Sequence, residues 1–210
     1  AESGQWRLDL IRPDTGVVEL TVPVQDTVGM LTMDPSSRRL AYRLGDTVEV
    51  REVATGERVC DPIEFPFGGI GELAFSSQGD RLAVASVWTP AKIISLDESG
   101  PSVIELGVQN LRMIRFSPDG EFVATSSDEG VCQLWDAGTG EEVGEIAQNG
   151  SARAFSSDGR FAAIVQGERA YLVDREINHW LQGQIQHDSQ IQEFVFSQDD
   201  RWVATASRDE

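Results

Sequence analysis

Residues 114–120 read Ile114-Arg115-Phe116-Ser117-Pro118-Asp119-Gly120, and Val123-Ala124-Thr125-Ser126 and Leu134-Trp135-Asp136 follow. The order is an apolar strand, a turn, a small-apolar strand, a polar turn and a third strand. Pro118 presets φ for a type I turn, Asp119 follows, and Gly120 can take the left-handed conformation that closes it. The run after the turn is apolar almost without alternation. That pattern predicts a strand buried on both faces.

The segment recurs. Its copies are anchored at Met33, Phe75, Phe116, Phe155 and Phe196, which lie 42, 41, 39 and 41 residues apart. A fixed period over the whole chain marks a repeat architecture. Apolar residues sit five and two places before the anchor: Val28 and Leu31, Ile70 and Leu73, Leu111 and Ile114, Ile191 and Phe194. After each turn come Leu40-Ala41-Tyr42, Leu82 to Ala85, Phe122 to Thr125, Phe161 to Ile164 and Trp202 to Thr205. Third strands follow at 48–53, 92–96, 131–135 and 170–173, and Gly-containing turns such as Thr55-Gly56 and Thr139-Gly140 lead to fourth ones. Four short strands per repeat argue for antiparallel meanders. Stacked four-stranded blades of a propeller bury the second strand on both sides, whereas a sandwich would leave one face wet. Arg153 stands where other copies have Leu31, Leu73, Ile114 and Phe194. A buried unpaired Arg is not tolerated. Either the strand is bulged there, or Arg153 reaches the channel or an acidic partner.

These residues resemble the WD-repeat β-propeller family, over essentially all of the chain. Trp135-Asp136 matches the family dipeptide, and Val203 to Glu210 is similar to a repeat cut before its third strand. The departures are informative. The dipeptide sites elsewhere are Arg51-Glu52 and Val173-Asp174. The resemblance implies a buried network of an Asp in the second turn, a strand-two hydroxyl, a His before strand one, and the Trp. Here the Asp site is Asp209 in the last repeat and Glu129 in the Trp135 repeat, and of His179 and His187 only His187 is suitably placed. Most blades should therefore be held by packing and backbone pairing. The expected fold is all-β: a β-propeller of four-stranded antiparallel blades, about five blade-equivalents, part of a seven-bladed or longer array. Residues 1–27 would be the end of a blade, 28–69, 70–110, 111–149 and 150–190 full blades, and 191–210 the first two strands of another, all in one propeller segment.

Composition sets outer bounds. Of 210 residues 40% are hydrophobic and 25% charged, which excludes wholesale disorder. The net charge of -18 argues against nucleic acid or an anionic membrane as partner. The charge is even: residues 1–105 hold 17 acids and 9 bases, residues 106–210 hold 18 and 8. Lys92 is the only lysine, read as the imprint of a GC-rich genome, with a salt-loving host as the alternative. Cys60 and Cys132 are the only cysteines, too few for a disulfide framework, and suit reduced thiols in a cytoplasm. No signal peptide or membrane-length apolar run is visible.

No catalytic arrangement stands out. Gly68-Gly69-Ile70-Gly71 lacks the Lys of a phosphate loop, the cysteines and histidines lack metal spacing, and paired acids sit at turns. No cofactor, metal or enzymatic activity is expected of this segment. The remaining class is binding. The resemblance implies docking on the face made by the strand 2–3 turns and the links between blades. There Trp88 falls in a turn whose counterparts are polar, and Phe65 and Phe67 fall in the adjacent link. Clustered loop aromatics are the commonest binding anchors, although they also plug gaps between blades. Asp46, Asp128, Glu129, Glu168 and Asp188 would make that face negative and favour a basic partner segment. The expectation is a protein-interaction scaffold or sensor in a larger multidomain signalling protein of bacterial type, beside flanking blades or domains. A propeller acting on a small ligand through its channel and a structural spacer are the alternatives.

Overall fold

The structure is a computed structural model and describes residues 6–24, 26–97, 101–127, 129–147, 151–174, 179–180 and 185–208. All regular structure among them is β. Strands β1 (Trp6–Ile11) and β2 (Val18–Val24) pair in a two-stranded antiparallel sheet. Then β3 (Val28–Met33), β4 (Arg39–Leu44), β5 (Thr47–Glu52) and β6 (Ile63–Glu64) form a four-stranded meander, as do β7 (Ile70–Phe75), β8 (Arg81–Ser86), β9 (Lys92–Ser95) and β10 (Val103–Glu105). A third comprises β11 (Leu111–Phe116), β12 (Phe122–Ser127), β13 (Cys132–Asp136) and β14 (Glu142–Ala147). In the fourth, β15 (Ser151–Phe155), β16 (Phe161–Gln166) and β17 (Arg169–Asp174) are followed by β18 (His179–Trp180) and β19 (Ile185–Gln186), both paired to β17. Strands β20 (Ile191–Phe196) and β21 (Val203–Ser207) make a final pair.

One turn opens every repeat. The carbonyls of Asp34, Ser76, Ser117, Ser156 and Ser197 accept the N–H of Ser37, Gly79, Gly120, Gly159 and Asp200. Those five donor residues have φ of 57, 71, 76, 72 and 54°, the left-handed region that glycine enters without steric penalty. The side-chain oxygen of the same five leading residues then accepts the N–H five places on, at 2.6–3.1 Å from Arg39, Arg81, Phe122, Phe161 and Trp202. A short side chain with an acceptor at the first place and glycine at the fourth is the local chemistry that makes the repeat readable.

The core lies in the seams between sheets. Second-strand residues divide alternately between the two neighbours. Leu40 and Tyr42 pack with Leu8, Val22 and Val24, while Ala41 joins Leu73, Leu82 and Val84. Ala83 and Ala85 turn the other way, onto Leu111, Ile114, Val123 and Trp135. Ala124 meets Ala162 and Ile164, and Ala163 and Val165 meet Ile191 and Phe194. That division explains why these strands read as continuous apolar runs. It is also the arrangement of a β-propeller, the all-β architecture the repeat implied. Truncating a fully buried residue such as Leu82 or Ile164 to Ala costs about 2–5 kcal/mol.

Each inner strand carries one register shift: between Gly29 and Leu31, Ile70 and Glu72, Leu111 and Met113, Ala152 and Ala154, and Ile191 and Glu193. Arg153 is the residue skipped in β15, so the strand is bulged there; its side chain lies outside the described residues. At Gly71, the residue skipped in β7, neighbouring inner strands approach so closely that a Cβ would lie 2.7 Å from the Leu111 carbonyl oxygen.

Strands two and three are also joined by side chains. Trp135 Nε1 donates to Thr125 Oγ1 at 2.9 Å inside the β11–β14 sheet. In the β3–β6 sheet the corresponding positions are Arg51 and Tyr42, and Arg51 Nε donates to the Tyr42 hydroxyl at 2.8 Å. That hydroxyl donates in turn to Glu49 Oε2 at 2.7 Å, and Arg51 and Arg58 reach the same carboxylate at 2.9 and 2.6 Å. The β3–β6 sheet is thus an exception to the reading that most blades are held by packing and backbone pairing, because Arg51 supplies the bond there, whereas the equivalent positions Val84 and Ile94, and Ile164 and Val173, are buried apolar residues.

Candidate functional site

The strand 2–3 turns and the interblade links form one tiled surface because the backbone ties them together. Phe65 donates its N–H to the Asp46 carbonyl at 2.8 Å, Val87 to Gly69 at 2.8 Å, and Asn110 to Val87 at 3.0 Å. Farther round, His187 and Ile191 donate to the Glu168 and Gly167 carbonyls at 3.0 and 2.9 Å. The tiles bring Asp46, Phe67 and Trp88 into one neighbourhood, and Glu168 and Asp188 into another.

The link 65–69 decides the fate of its aromatics. Gly68 donates to the Phe65 carbonyl at 2.9 Å, closing a turn with Pro66 at its second position and Phe67 at its third. Phe67 has φ of 73°, followed by Gly68 at 66° and Gly69 at 73°. A bulky residue in the left-handed region is a genuine strain, of order 1–3 kcal/mol, and such outliers concentrate at functional positions. The turn swings Phe67 outward to 84% exposure. Phe65, two residues earlier, is wholly buried against the β7–β10 sheet, with Lys92 Nζ 4.8 Å above its ring. Phe65 therefore plugs the seam and offers no contact to a partner, a correction to its place among the candidate binding residues.

Trp88 is 64% exposed. Its turn is fixed by the buried Ser86 hydroxyl, which accepts from the Thr89 N–H and hydroxyl at 3.3 and 2.9 Å. The indole lies over Gly69, where a Cβ would come within 2.8 Å of Nε1, so only glycine leaves room for it. Beside it is a depression of about 500 Å³ lined by Val87, Trp88, Gln109, Asn110 and Arg112. Arg112 enters this wall from the bulge in β11, since a bulge re-aims the side chain it carries. Asn110 sits at φ of 62°. Arg112 is not among the residues the sequence singled out, because the bulge falls at a different offset in different repeats.

Glu129, Glu168 and Asp188 are exposed, and none makes an ion pair among the described residues. Asp128 lies outside the described residues. His187 sits where the resemblance placed it: its ring nitrogens meet Thr205 Oγ1 and Ser207 Oγ, each at 2.8 Å. The histidine thus fastens the link to the β20–β21 pair and is structural. No group of three or more His, Cys, Asp or Glu side chains that could hold a metal occurs among the described residues, and no helix there is long and apolar enough to cross a membrane. Cys60 and Cys132 are free thiols, and burial pushes the Cys60 thiol up. On the inner strands Glu72 is committed to the Ile114 N–H at 2.9 Å and to Arg115 at 3.2 Å.

Two comparisons bear on this geometry. The family model described as WD domain, G-beta repeat, matches residues 107–136 and 178–210. The β-propeller domain of Myceliophteria thermophila Cps50 (Swd1) superposes on 88% of this chain with a TM-score of 0.65 at 13% sequence identity, and this chain spans 63% of that one. In all, 1144 chains of known structure match, a breadth that identifies an architecture rather than an activity. No curated protein sequence matches significantly.

Proposed function

We propose that this chain, a WD-repeat β-propeller, is a protein-interaction platform whose partner docks on the face of strand 2–3 turns and links, with Trp88 and Phe67 as the apolar anchors. WD-repeat propellers generally serve as scaffolds that bind proteins. One observation carries the assignment to this face: two large aromatics are 64% and 84% exposed on backbone that is hydrogen-bonded in place, one of them at a strained positive φ. A side chain displayed without conformational freedom loses little entropy on binding. The acids Glu129, Glu168 and Asp188, exposed and without an ion pair among the described residues, favour a basic partner segment. In this reading the chain works within a larger regulatory protein of bacterial type in a cytoplasm, beside flanking blades or domains. Its two free thiols suit that compartment. Catalysis is not part of the reading.

The test is affinity capture with cross-linking from the source cell, comparing the wild type with Trp88→Ala plus Phe67→Ala. Both side chains are exposed, so the thermal midpoint should hold. The reading expects a defined set of captured proteins to be lost in the double variant. An unchanged set would sink it.

A further inference from the structure

Resting on that docking face, the inference concerns what the Trp88 indole takes. The chain repeatedly covers its own aromatic rings with a cation: Lys92 over Phe65 at 4.8 Å, Arg81 over Phe116 at 5.6 Å and Arg160 over Phe161 at 5.0 Å. Trp88 and Phe67 differ. Neither carries a cation or another ring among the described residues, and the Trp88 indole N–H makes no hydrogen bond there. They are also the uncovered rings on a face whose turns carry Asp46, Glu129, Glu168 and Asp188, in a chain of net charge -18.

We infer that Trp88 is the seat for an arginine side chain of the partner, stacked on the outward face of the indole. The ring offers the negative face of its quadrupole, and Trp is the strongest of the aromatic acceptors for a cation. A planar guanidinium stacks on it and still directs its N–H edge sideways, where Gln109 and Asn110 line the adjoining depression. A lysine ammonium is a compact, strongly hydrated point charge and cannot do both. The acids Glu129, Glu168 and Asp188, elsewhere on the same face, raise the concentration of a basic segment near it without selecting between the two cations. Selection therefore belongs to the ring, and the acids set the rate of encounter. Arg112 also lines the depression, and its like charge disfavours a second cation inside it, so the seat is the indole face and not the depression.

The experiment titrates the chain with labelled short peptides in which Gly and Ser alternate with Arg, Lys or Glu, read by fluorescence anisotropy at about 0.15 M salt. Proteins are the wild type, Trp88→Leu, and Glu129→Gln with Glu168→Gln and Asp188→Asn. The Arg peptide should bind tighter than the Lys peptide. Trp88→Leu should weaken it about threefold to thirtyfold and erase the preference, with an unchanged thermal midpoint. The charge variant should weaken both basic peptides alike. Equal binding of Arg and Lys peptides that ignores Trp88→Leu overturns the inference, and so does tighter binding of the Glu peptide. If the Arg preference is absent while Trp88→Ala still abolishes partner capture, the docking face stands and only the guanidinium seat falls.

Discussion

The β11–β14 and β3–β6 sheets make the same cross-strand bond with different chemistry. In the first, a neutral indole N–H meets a neutral hydroxyl, Trp135 to Thr125, both buried. In the second, Arg51 takes the indole's place and Tyr42 the threonine's, which brings a charge into the sheet. The charge cannot stand alone, and Glu49, 2% exposed, answers it. The carboxylate then holds three donors: the Tyr42 hydroxyl, Arg51 and Arg58. In these two sheets the shared feature is a donor on strand three facing a hydroxyl on strand two. Once the donor is charged, a single bond becomes a cluster, and losing one member becomes expensive.

The largest expected effect follows from that cluster. Glu49→Gln keeps the shape but leaves Arg51, whose side chain is 17% exposed, without its counter-charge. Breaking a buried pair from one side costs about 3–5 kcal/mol. Chemical denaturation should show that loss, and a deficit under about 1 kcal/mol would mean Arg51 finds another partner. Adding Arg51→Met should restore much of the stability, because removing both charges is far cheaper than removing one. The deficit should also depend on pH. Burial raises the Glu49 carboxyl, but hydrogen bonds from Arg58, Tyr42 and Arg51 outweigh it and hold the carboxyl below the usual 4.5. A carboxyl lowered by folding contributes stability that is present above 4.5 and is lost as pH falls through its folded value. The gap between wild type and Glu49→Gln should therefore narrow in acid. At the alkaline end, burial and the Glu49 hydrogen bond push the Tyr42 phenol up to about 12 from 10.0. Its contribution is complete below pH 10.0 and lost as pH rises through about 12.

The neutral sheet should behave otherwise. Trp135→Phe removes one donor and some volume, leaving the Thr125 hydroxyl short of a partner at a cost of about 1–3 kcal/mol. Thr125→Val added to it should recover part of that loss, since replacing both partners with apolar groups of similar shape is nearly neutral. Neither Trp135 nor Thr125 titrates, so this deficit should stay flat between pH 4 and 9. A Trp135→Phe deficit that changed with pH as the Glu49→Gln deficit does would erase the distinction between the sheets.

The contrast also explains what could be read in advance. The period and the propeller were legible because the opening turn asks for local chemistry: a side-chain acceptor such as Ser117 recurs in every copy, and glycine such as Gly120 takes the left-handed place in three of the five. Arg51 was read as a mere loss of the family Trp. Its partner Tyr42 sits in an apolar run and looks like core, and nothing local ties either residue to Glu49 or Arg58. The docking face divides in the same way. Trp88 stood out because its counterparts are polar. Phe65 and Phe67 read alike in sequence, and only the turn that sends Phe67 to positive φ separates a buried plug from an exposed anchor. Arg153 was compared with apolar residues at a fixed offset, but the skipped residue lies at different distances from Met33, Phe116 and Phe155 in β3, β11 and β15.

The smallest effect tests whether every member of the charged cluster matters equally. Arg58 donates to Glu49 at 2.6 Å, the shortest contact in the cluster, yet its side chain is 50% exposed. Distance alone would rank it first. Solvent screening and the entropy of holding a long side chain argue the reverse, because exposed pairs contribute about 0–1 kcal/mol. Arg58→Met keeps most of the aliphatic stem and removes only the charge. Arg51 and the Tyr42 hydroxyl still hold Glu49. The loss in chemical denaturation should be about 1 kcal/mol or less, several times below that of Glu49→Gln. Comparable losses would mean that the carboxylate needs both guanidinium groups, and the cluster would then have to be treated as one unit rather than a buried pair with an exposed guest.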